Sequence, residues 1–295
     1  MFTGLSAFPL TPLADDAVEE AAFTGLVRRL AAARVDSITA LGSTGSYAYL
    51  STEERSRVAH LAVEHAGDIP VFIGIGALRT SQVLTHLEHA QQAGASAVLL
   101  APMTYQPLTD DDVFALFDTV TAQSSVPVIV YDNPGTTHVT FTTELYGRIG
   151  QLPGIASVKI PGVPADPQQA RTRVQEIRAV VPEHVSIGIS GDAVAAAGCD
   201  AWYSVIAGTL PGPALRLARA ALGGRADEAA TASDRLAPLW RLFAELGSLR
   251  VVAALAERLD LVPQDCLPLP LHGLDEEQRA QVARIVDDLG LDRQR

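Results

Sequence analysis

Lysine is almost absent from this sequence. Among 295 residues there are 21 arginines and one lysine, Lys159. Part of this bias belongs to the alanine- and arginine-rich composition as a whole. Arginine, however, is effectively never deprotonated, whereas a lysine in an apolar site can lose its proton. A position that remains lysine in such a chain is therefore a candidate for chemistry that needs a neutral amine.

Cysteine, basic charge and long apolar runs are also scarce. Cys199 and Cys266 are the only cysteines, and they have neither metal-ligand spacing nor a disulfide framework. The net charge of -12 gives no electrostatic footprint for nucleic acid or an anionic membrane. No window approaches the roughly 18 uninterrupted apolar residues of a membrane span, and the first residues lack a signal-peptide pattern. We therefore expect a soluble, cytoplasmic protein that binds neither nucleic acid nor membrane.

Short apolar, β-branched runs alternate with amphipathic helical stretches. Landmarks at six predicted strand ends are 28 to 32 residues apart: Gly42, Gly74, Pro102, Tyr131, Lys159 and Ser190. This spacing is typical of βα units, and eight such strands predict an α/β fold, the (β/α)8 TIM barrel. The predicted strands are residues 6–9, 37–41, 71–75, 97–101, 128–131, 156–160, 185–189 and 202–206. A doubly wound open sheet is the structural alternative, but no GxGxxG turn follows the first strand.

The helical pattern is clearest in residues 16–34, 52–65, 79–93 and 110–124. Thr52 and Thr109 precede acidic residues and are interpreted as helix caps. After about residue 225 the strand patterns stop, and residues 226–246, 248–259 and 275–289 predict helices. We therefore divide the chain into a TIM barrel catalytic domain, residues 1–224, and a C-terminal helical extension, residues 225–295.

Candidate catalytic groups follow from where TIM barrels place their active sites, at the C-terminal ends of the strands. A Gly-Ser-Thr-Gly-Ser loop, residues 42–46, follows the second predicted strand, Tyr131 ends the fifth, and Lys159 lies in the sixth. A buried amine tends to lose its proton, and a neutral amine can attack a ketone to form an iminium. Tyr131 could relay protons, while the amides of the loop and the hydroxyls of Ser43 and Thr44 could hold a carboxylate.

Each of these residues also has a purely structural interpretation. Lys159 could extend to the barrel rim or pair with a carboxylate such as Asp192. Tyr131 could be a core residue whose hydroxyl binds a carbonyl, and the hydroxyl-rich loop could be a tight connection. Asp192 itself fits better as a helix cap and His138 as a solvated loop residue. The other six histidines form no metal triad, so we predict no metal site.

Taken together, these segments resemble the dihydrodipicolinate synthase / N-acetylneuraminate lyase family of class I aldolases. The likeness runs from Phe2-Thr-Gly4 to the helical C-terminus. Gly42-Ser-Thr-Gly45, followed by Leu50-Ser-Thr-Glu-Glu-Arg55, looks like the family's pyruvate-carboxylate loop and next helix. Tyr131-Asp-Asn-Pro134 resembles its tyrosine loop, usually Tyr-Asn-x-Pro. Lys159 follows 28 residues after Tyr131, where the family keeps its Schiff-base lysine.

The resemblance implies a mechanism. An iminium on the lysine becomes an enamine, which adds to an aldehyde, or the reverse reaction cleaves a longer 2-keto acid; family members also dehydrate 2-keto-3-deoxy sugar acids. It implies catalytic roles for Lys159, Tyr131 and Ser43, and substrate-binding roles for Thr44, Gly45, Tyr105, Thr136 and Tyr203. No metal or organic cofactor is required by this chemistry. A homo-oligomer, tetramer or dimer, is expected from the same resemblance.

The sequence departs from the family at several positions that face substrate. Thr136 stands where true dihydrodipicolinate synthases carry a substrate-binding arginine, and Ser46 replaces a glutamate. In Pro102-Met-Thr-Tyr-Gln-Pro107, Thr104 takes by count the place of a tyrosine that crosses to a neighbouring subunit, with Tyr105 adjacent. These changes predict a catabolic aldolase or dehydratase rather than a lysine-pathway synthase. A true synthase and a non-catalytic 2-keto-acid-binding barrel are the alternatives.

Overall fold

Eight parallel strands close into a barrel in the computed structural model, which describes residues 1–164, 166–191 and 198–291. Each strand pairs with the next in chain order, and the first pairs with the eighth. The strands are β1 (Gly4–Ala7), β2 (Ser37–Ala40), β3 (Val71–Gly74), β4 (Ala97–Leu100), β5 (Val128–Tyr131), β6 (Ile155–Ile160), β7 (Ser186–Ile189) and β8 (Ala201–Ser204). Their side chains are almost all buried, as in parallel strands covered on both faces. The predicted TIM barrel is confirmed.

Helices cover the outside of this barrel in alternation with the strands. They are α1 (Glu20–Ala33), α2 (Thr52–His65), α3 (Thr80–Gln92), α4 (Asp110–Thr121), the single turn α5 (Pro134–Thr137), α6 (Thr143–Gly150), α7 (Pro167–Arg178) and α8 (Pro211–Leu222). Apolar faces recur along them, and their buried residues pack on the outer surface of the strands. The C-terminal ends of all eight strands are thereby left open at one mouth.

Four more helices follow the barrel: α9 (Ala226–Arg235), α10 (Ala237–Leu246), α11 (Ser248–Arg258) and α12 (Glu276–Leu289). Helix α9 packs on α8, and α11 packs on both α10 and α12. The helical tail is confirmed, whereas its division from the barrel at residue 225 stays a prediction. Throughout the described part of the chain, no helix is both long and apolar enough to cross a membrane.

The N-terminal predictions need two corrections. The first strand is Gly4–Ala7 rather than residues 6–9, because Pro9 has no amide to donate to a strand ladder. The first helix begins at Glu20 rather than residue 16, because Asp15 and Asp16 both have positive φ and form the turn of a small hairpin, residues 13–18. The other strands agree within one residue, except at the end of the eighth.

Three more predictions concern helix boundaries farther along the chain. Ser51, not Thr52, caps α2 through a capping box with Glu54, whereas the predicted cap Thr109 is confirmed on α4. The single predicted helix 226–246 is two helices, because Pro238 at the second position of α10 cannot continue the hydrogen bonding of α9.

The eighth strand ends at Ser204 rather than at residue 206. From there the chain turns into a short 3-10 helix, Ile206–Gly208, and the Ser204 hydroxyl accepts a hydrogen bond from the Ala207 amide at 3.2 Å. A side-chain hydroxyl that binds the backbone in this way favours a turn over a continued strand.

Candidate active site

A cavity of about 470 Å³ opens at the C-terminal ends of the barrel strands. It brings together the groups that the sequence placed at separate strand ends: Phe8, Ser43, Thr44, Tyr131, Asn133, Lys159, Ser190 and Tyr203. Lys159 is the only charged side chain among the described residues that line it. The cavity is therefore built to present one amine among hydroxyls and aromatic rings.

Lys159 lies near the end of β6 and is 3% exposed. The strand register places it beside Tyr131 of β5, and its Nζ lies 4.0 Å from the centroid of the Tyr131 ring. The ring of Phe8 lies 5.5 Å from the same nitrogen. Burial lowers the pKa of Lys159 to about 7, against the opposing attraction of the Asp132 carboxylate. A large fraction of the amine is therefore neutral, and nucleophilic, at neutral pH.

Tyr131 is held in place by two hydrogen bonds to its hydroxyl. The Asn133 side-chain amide donates to the phenol oxygen at 2.7 Å, and the Ser43 hydroxyl lies 3.0 Å from it. Burial raises the pKa of Tyr131, while hydrogen bonds with Ser43, Asn133 and Thr136 act in the opposite direction. The phenol therefore keeps its proton at neutral pH and can act as an acid next to the amine.

The hydroxyl loop after β2 is bent by two residues with left-handed backbone, Leu41 at φ 57° and Ser46 at φ 52°. Between them Ser43 and Thr44 face the cavity, and the backbone amides of these two residues donate no hydrogen bond within the described chain. Gly45 lies behind them, where a Cβ would come within 3.1 Å of the Leu41 nitrogen. The loop thus offers free amides and hydroxyls to an anion, with a glycine where the loop backbone packs tightly.

Asp132 is a buried carboxylate behind the cavity wall, and nothing in the sequence alone assigns it a role. Its Oδ2 accepts a hydrogen bond from the Tyr146 hydroxyl, while its Oδ1 has no partner among the described residues. Burial raises the pKa of Asp132 to about 6; the Tyr146 hydrogen bond and the charge of Lys159 act in the opposite direction. The signal available in the sequence is that this residue is aspartate in a loop where the resembling family usually has asparagine.

Tyr203 of β8 closes one side of the cavity. Its hydroxyl is bound to Ser157 at 2.7 Å, and its ring meets the Phe8 ring edge-on, with 6.1 Å between centroids. The ring fits only because Gly188 lies opposite: a Cβ there would be 2.2 Å from the ring carbon Cε2. Tyr203 therefore contributes an aromatic surface to the cavity rather than a free hydroxyl.

Of the remaining predicted site residues, some line the cavity and others do not. Thr136 is exposed on α5 and lines the cavity. Tyr105 is 88% exposed and does not reach the cavity of its own chain. His138 is exposed at the end of α5, as expected for a solvated loop residue. Asp192 lies outside the described residues. The substrate-binding roles of Thr136 and Tyr105 stay predictions.

Part of the cavity comes from residues that the sequence did not single out. Tyr47 follows the hydroxyl loop, Met103 follows β4, and Ser248, Leu249 and Leu271 belong to the helical tail. No local pattern marks the last three, because they reach the mouth only through the packing of α11 and the segment after it. The tail therefore supplies an apolar part of the rim.

A TIM barrel that holds a buried amine with a lowered pKa, a hydrogen-bonded phenol and a hydroxyl loop at one mouth defines the class of Schiff-base aldolases.

Comparison with known proteins agrees with this class. The model of the Dihydrodipicolinate synthetase family matches residues 1–289. The 4-hydroxy-tetrahydrodipicolinate synthase of Methylobacterium radiotolerans is 32% identical over 286 residues, which cover 95% of this chain and 91% of that protein. The corresponding synthase of Hyphomonas neptunium is 37% identical over 160 residues, 54% of this chain and 55% of that protein. The crystal structure of dihydrodipicolinate synthase from Agrobacterium tumefaciens str. C58 matches with a TM-score of 0.93 and 42% identity over 98% of each chain.

The chain belongs to the dihydrodipicolinate synthase family, and it is a lyase of the Schiff-base aldolase type. The resemblance read from its motifs is confirmed.

Proposed function

We propose that this protein is a Schiff-base aldolase or dehydratase for a pyruvate-derived 2-keto acid that carries a polar or aromatic substituent, and that it serves catabolism rather than lysine biosynthesis. The single observation that carries this proposal is the charge of the cavity. Among the described lining residues Lys159 is the only cation, and it is consumed as the nucleophile. No other described lining residue offers a cation to a second carboxylate at the distal end of a substrate.

The reacting half of the substrate is matched by the barrel itself. The neutral Lys159 amine attacks the keto carbon, and the Tyr131 phenol protonates the oxygen that leaves. The free amides and hydroxyls of Ser43 and Thr44 hold the carboxylate next to that carbon. The iminium then withdraws electrons from C3, so that a C3 proton can leave or a C3–C4 bond can break.

The distal half of the substrate faces an uncharged rim. Thr136 presents a hydroxyl, and Met103, Leu249 and Leu271 present apolar surface. A threonine hydroxyl cannot make the paired hydrogen bonds with which an arginine holds a carboxylate. An aromatic or hydroxylated substituent fits this rim, because apolar pockets favour it over a solvated anion.

Trapping the Schiff base tests the shared chemistry. Borohydride reduction in the presence of pyruvate should add the mass of a reduced pyruvate adduct to the peptide that contains Lys159. The result is unambiguous because the chain has no other lysine. Lys159→Arg should abolish the adduct, since arginine supplies no neutral amine. Absence of an adduct at millimolar pyruvate would refute the Schiff-base mechanism.

A substrate panel tests the finer assignment. Retro-aldol cleavage and dehydration are measured with 2-keto acids whose distal groups are aromatic, hydroxylated or carboxylated, beside condensation of pyruvate with aspartate semialdehyde. We expect the uncharged substrates to exceed the aspartate semialdehyde reaction in kcat/KM. Thr136→Arg should raise the condensation, whereas Thr140→Arg, at an exposed threonine outside the cavity, should not.

Synthesis of 4-hydroxy-tetrahydrodipicolinate is the second candidate, favoured by the names of the related proteins. Efficient condensation of pyruvate with aspartate semialdehyde by the unmodified protein would establish it and reverse the assignment above. Schiff-base formation without turnover of any panel member would instead indicate a binding protein.

A further inference from the structure

Tyr47 occupies a fixed position directly after the hydroxyl loop. It begins a single 3-10 turn, Tyr47–Tyr49, and is 6% exposed. Its ring packs against the backbone at Gly76, where a Cβ would lie 3.3 Å from the ring carbon Cε2. The Arg55 guanidinium lies 5.3 Å from the ring centroid and is itself bound to the carbonyls of Gly74 and Gly76, each at 2.9 Å. The ring therefore has little freedom to turn away.

The hydroxyl of this side chain lacks a partner within the protein. Tyr47 lines the same cavity as Tyr131, and the two phenols are close enough to influence each other: Tyr131 adds to the burial that raises the pKa of Tyr47. Within the described chain no hydrogen bond to the Tyr47 hydroxyl is formed. This oxygen is not among the buried, unpartnered polar atoms of the described residues, and Tyr47 lines the cavity, so water or substrate in the cavity can bind it.

The proposed reaction requires a proton that Tyr131 cannot supply repeatedly. Formation of the protonated imine, the iminium, joins the Lys159 nitrogen to the keto carbon, leaves one proton on that nitrogen, breaks the carbon–oxygen bond and releases water. That water needs two protons, and the neutral amine contributes one of them. The other comes from the Tyr131 phenol, which is left as a phenolate and must be reprotonated. Its neighbours do not solve this problem alone, because Asn133 is not an acid and the hydroxyls of Ser43 and Thr136 each need a further donor.

We propose that Tyr47 delivers this proton: its hydroxyl connects cavity water to Tyr131, so that the relay is completed by a residue of the same chain. The proposal rests on the Schiff-base function above and adds a residue to it. Tyr47 acts on the reacting atoms through Tyr131, and in this sense it positions and replenishes the proton rather than touching the substrate. In the next step the C3 proton released from the iminium returns along the same path.

The test is the rate of imine formation in a single turnover, followed by time-resolved borohydride trapping with pyruvate. Tyr47→Phe should slow this rate on the order of 10-fold and enlarge the solvent deuterium isotope effect, since a proton transfer becomes limiting. Tyr49 belongs to the same turn and also lines the cavity, but it is 49% exposed; Tyr49→Phe should leave both unchanged. Tyr47→Phe combined with Tyr131→Phe should be no slower than Tyr131→Phe alone, because the first residue acts only through the second.

The outcomes separate this inference from the function on which it rests. If the unmodified protein forms no adduct, the Schiff-base function itself is wrong. If it does, and Tyr47→Phe is as fast, or the two substitutions slow the reaction independently, Tyr47 is not the relay. Should Tyr47→Phe fail to fold, difluorotyrosine at position 47 keeps the ring and makes the phenol more acidic. The alkaline limb of the rate profile should then move to lower pH, and an unmoved limb overturns the inference.

Discussion

Lys159 places a titratable amine where the fold would be more stable with an apolar side chain. Its folded pKa is about 7, below the 10.5 of a free lysine. Between these values the unfolded chain binds more protons than the folded one, so this residue makes the free energy of unfolding rise with pH. Below pH 7 both states are protonated, and the cost of burying the ammonium is felt in full.

Replacing this lysine should therefore stabilise the protein in a pH-dependent way. We expect Lys159→Met to have a larger free energy of unfolding than the unmodified protein at pH 6.5, with a smaller difference at pH 10. Methionine has a similar length and no charge to desolvate. Urea denaturation at the two pH values measures both differences. Equal differences at both would mean that the amine is not perturbed by burial.

Asp132 should set the pH at which this amine becomes reactive. Its negative charge raises the pKa of Lys159 and opposes the effect of burial. Asp132→Asn removes the charge and keeps an oxygen to accept the hydrogen bond from Tyr146. We expect the acidic limb of the imine-formation rate, centred near pH 7, to move to lower pH.

The control for Asp132→Asn is a variant that removes a negative charge far from the cavity. Asp111→Asn does so at an exposed position of α4, where the carboxylate pairs with Arg148. It should leave the limb in place, because solvent and salt screen a distant surface charge. A limb that moves to higher pH in Asp132→Asn, or does not move, would contradict the assigned interaction.

Two glycines in regular elements have opposite roles. Gly188 in β7 faces the Tyr203 ring, and a Cβ would come within 2.2 Å of it, whereas Gly25 on the exposed side of α1 has nothing within 4 Å of that position. We expect Gly188→Ala to destabilise the fold by about 1–3 kcal/mol through overpacking. Gly25→Ala should stabilise it by about 0.5–1 kcal/mol through helix propensity. Chemical denaturation of both variants measures these changes.

The packing explanation for Gly188 has its own check. Tyr203→Leu removes the ring and should make Gly188→Ala less damaging in the double variant than in the single one, since the two residues share one space. Additive losses would show that the alanine acts through the backbone and not through the ring.

Among the secondary-structure elements, the sequence predicts those that repeat at regular spacing, and it also marks a residue type that occurs only once. Buried parallel strands are apolar runs at regular spacing, so the barrel and its eight strands could be derived, and the single lysine marked the reacting group. Boundaries failed where local chemistry overrode periodicity, as at the hairpin turn of Asp15 and Asp16 and at Pro238. The sequence did not predict Tyr47 and Leu249 as cavity residues, because no local pattern shows that residues about 200 positions apart line one cavity.

At the scale of the whole molecule, a few large apolar side chains are exposed to solvent beside the barrel mouth. Leu78, Tyr105 and Leu108 are 60%, 88% and 37% exposed, and they lie in the loops that follow the neighbouring strands β3 and β4. Clustered exposed apolar residues mark interaction surfaces. A homo-oligomer stays a prediction, and this surface is the candidate for its interface.

This surface should therefore control assembly. We expect the unmodified protein to sediment as an oligomer and Tyr105→Asp with Leu78→Asp to sediment as a smaller species, because a buried unpaired carboxylate opposes association. Leu269→Asp, at a leucine that is 71% exposed in the C-terminal segment, serves as the comparison and should keep the original mass. Analytical ultracentrifugation gives the result, and an unchanged mass in the double variant would place the interface elsewhere.

The cavity draws its reactive groups from the barrel and part of its rim from the helical tail, through Ser248, Leu249 and Leu271. The two sources are separate in the chain, so one can be substituted without altering the other. Substitutions at these three tail positions should change which distal groups the cavity accepts while the lysine and the phenol stay in place. For the same reason, libraries aimed at new carbon–carbon bonds should diversify residues of the tail first, since those changes explore selectivity without endangering the chemical step.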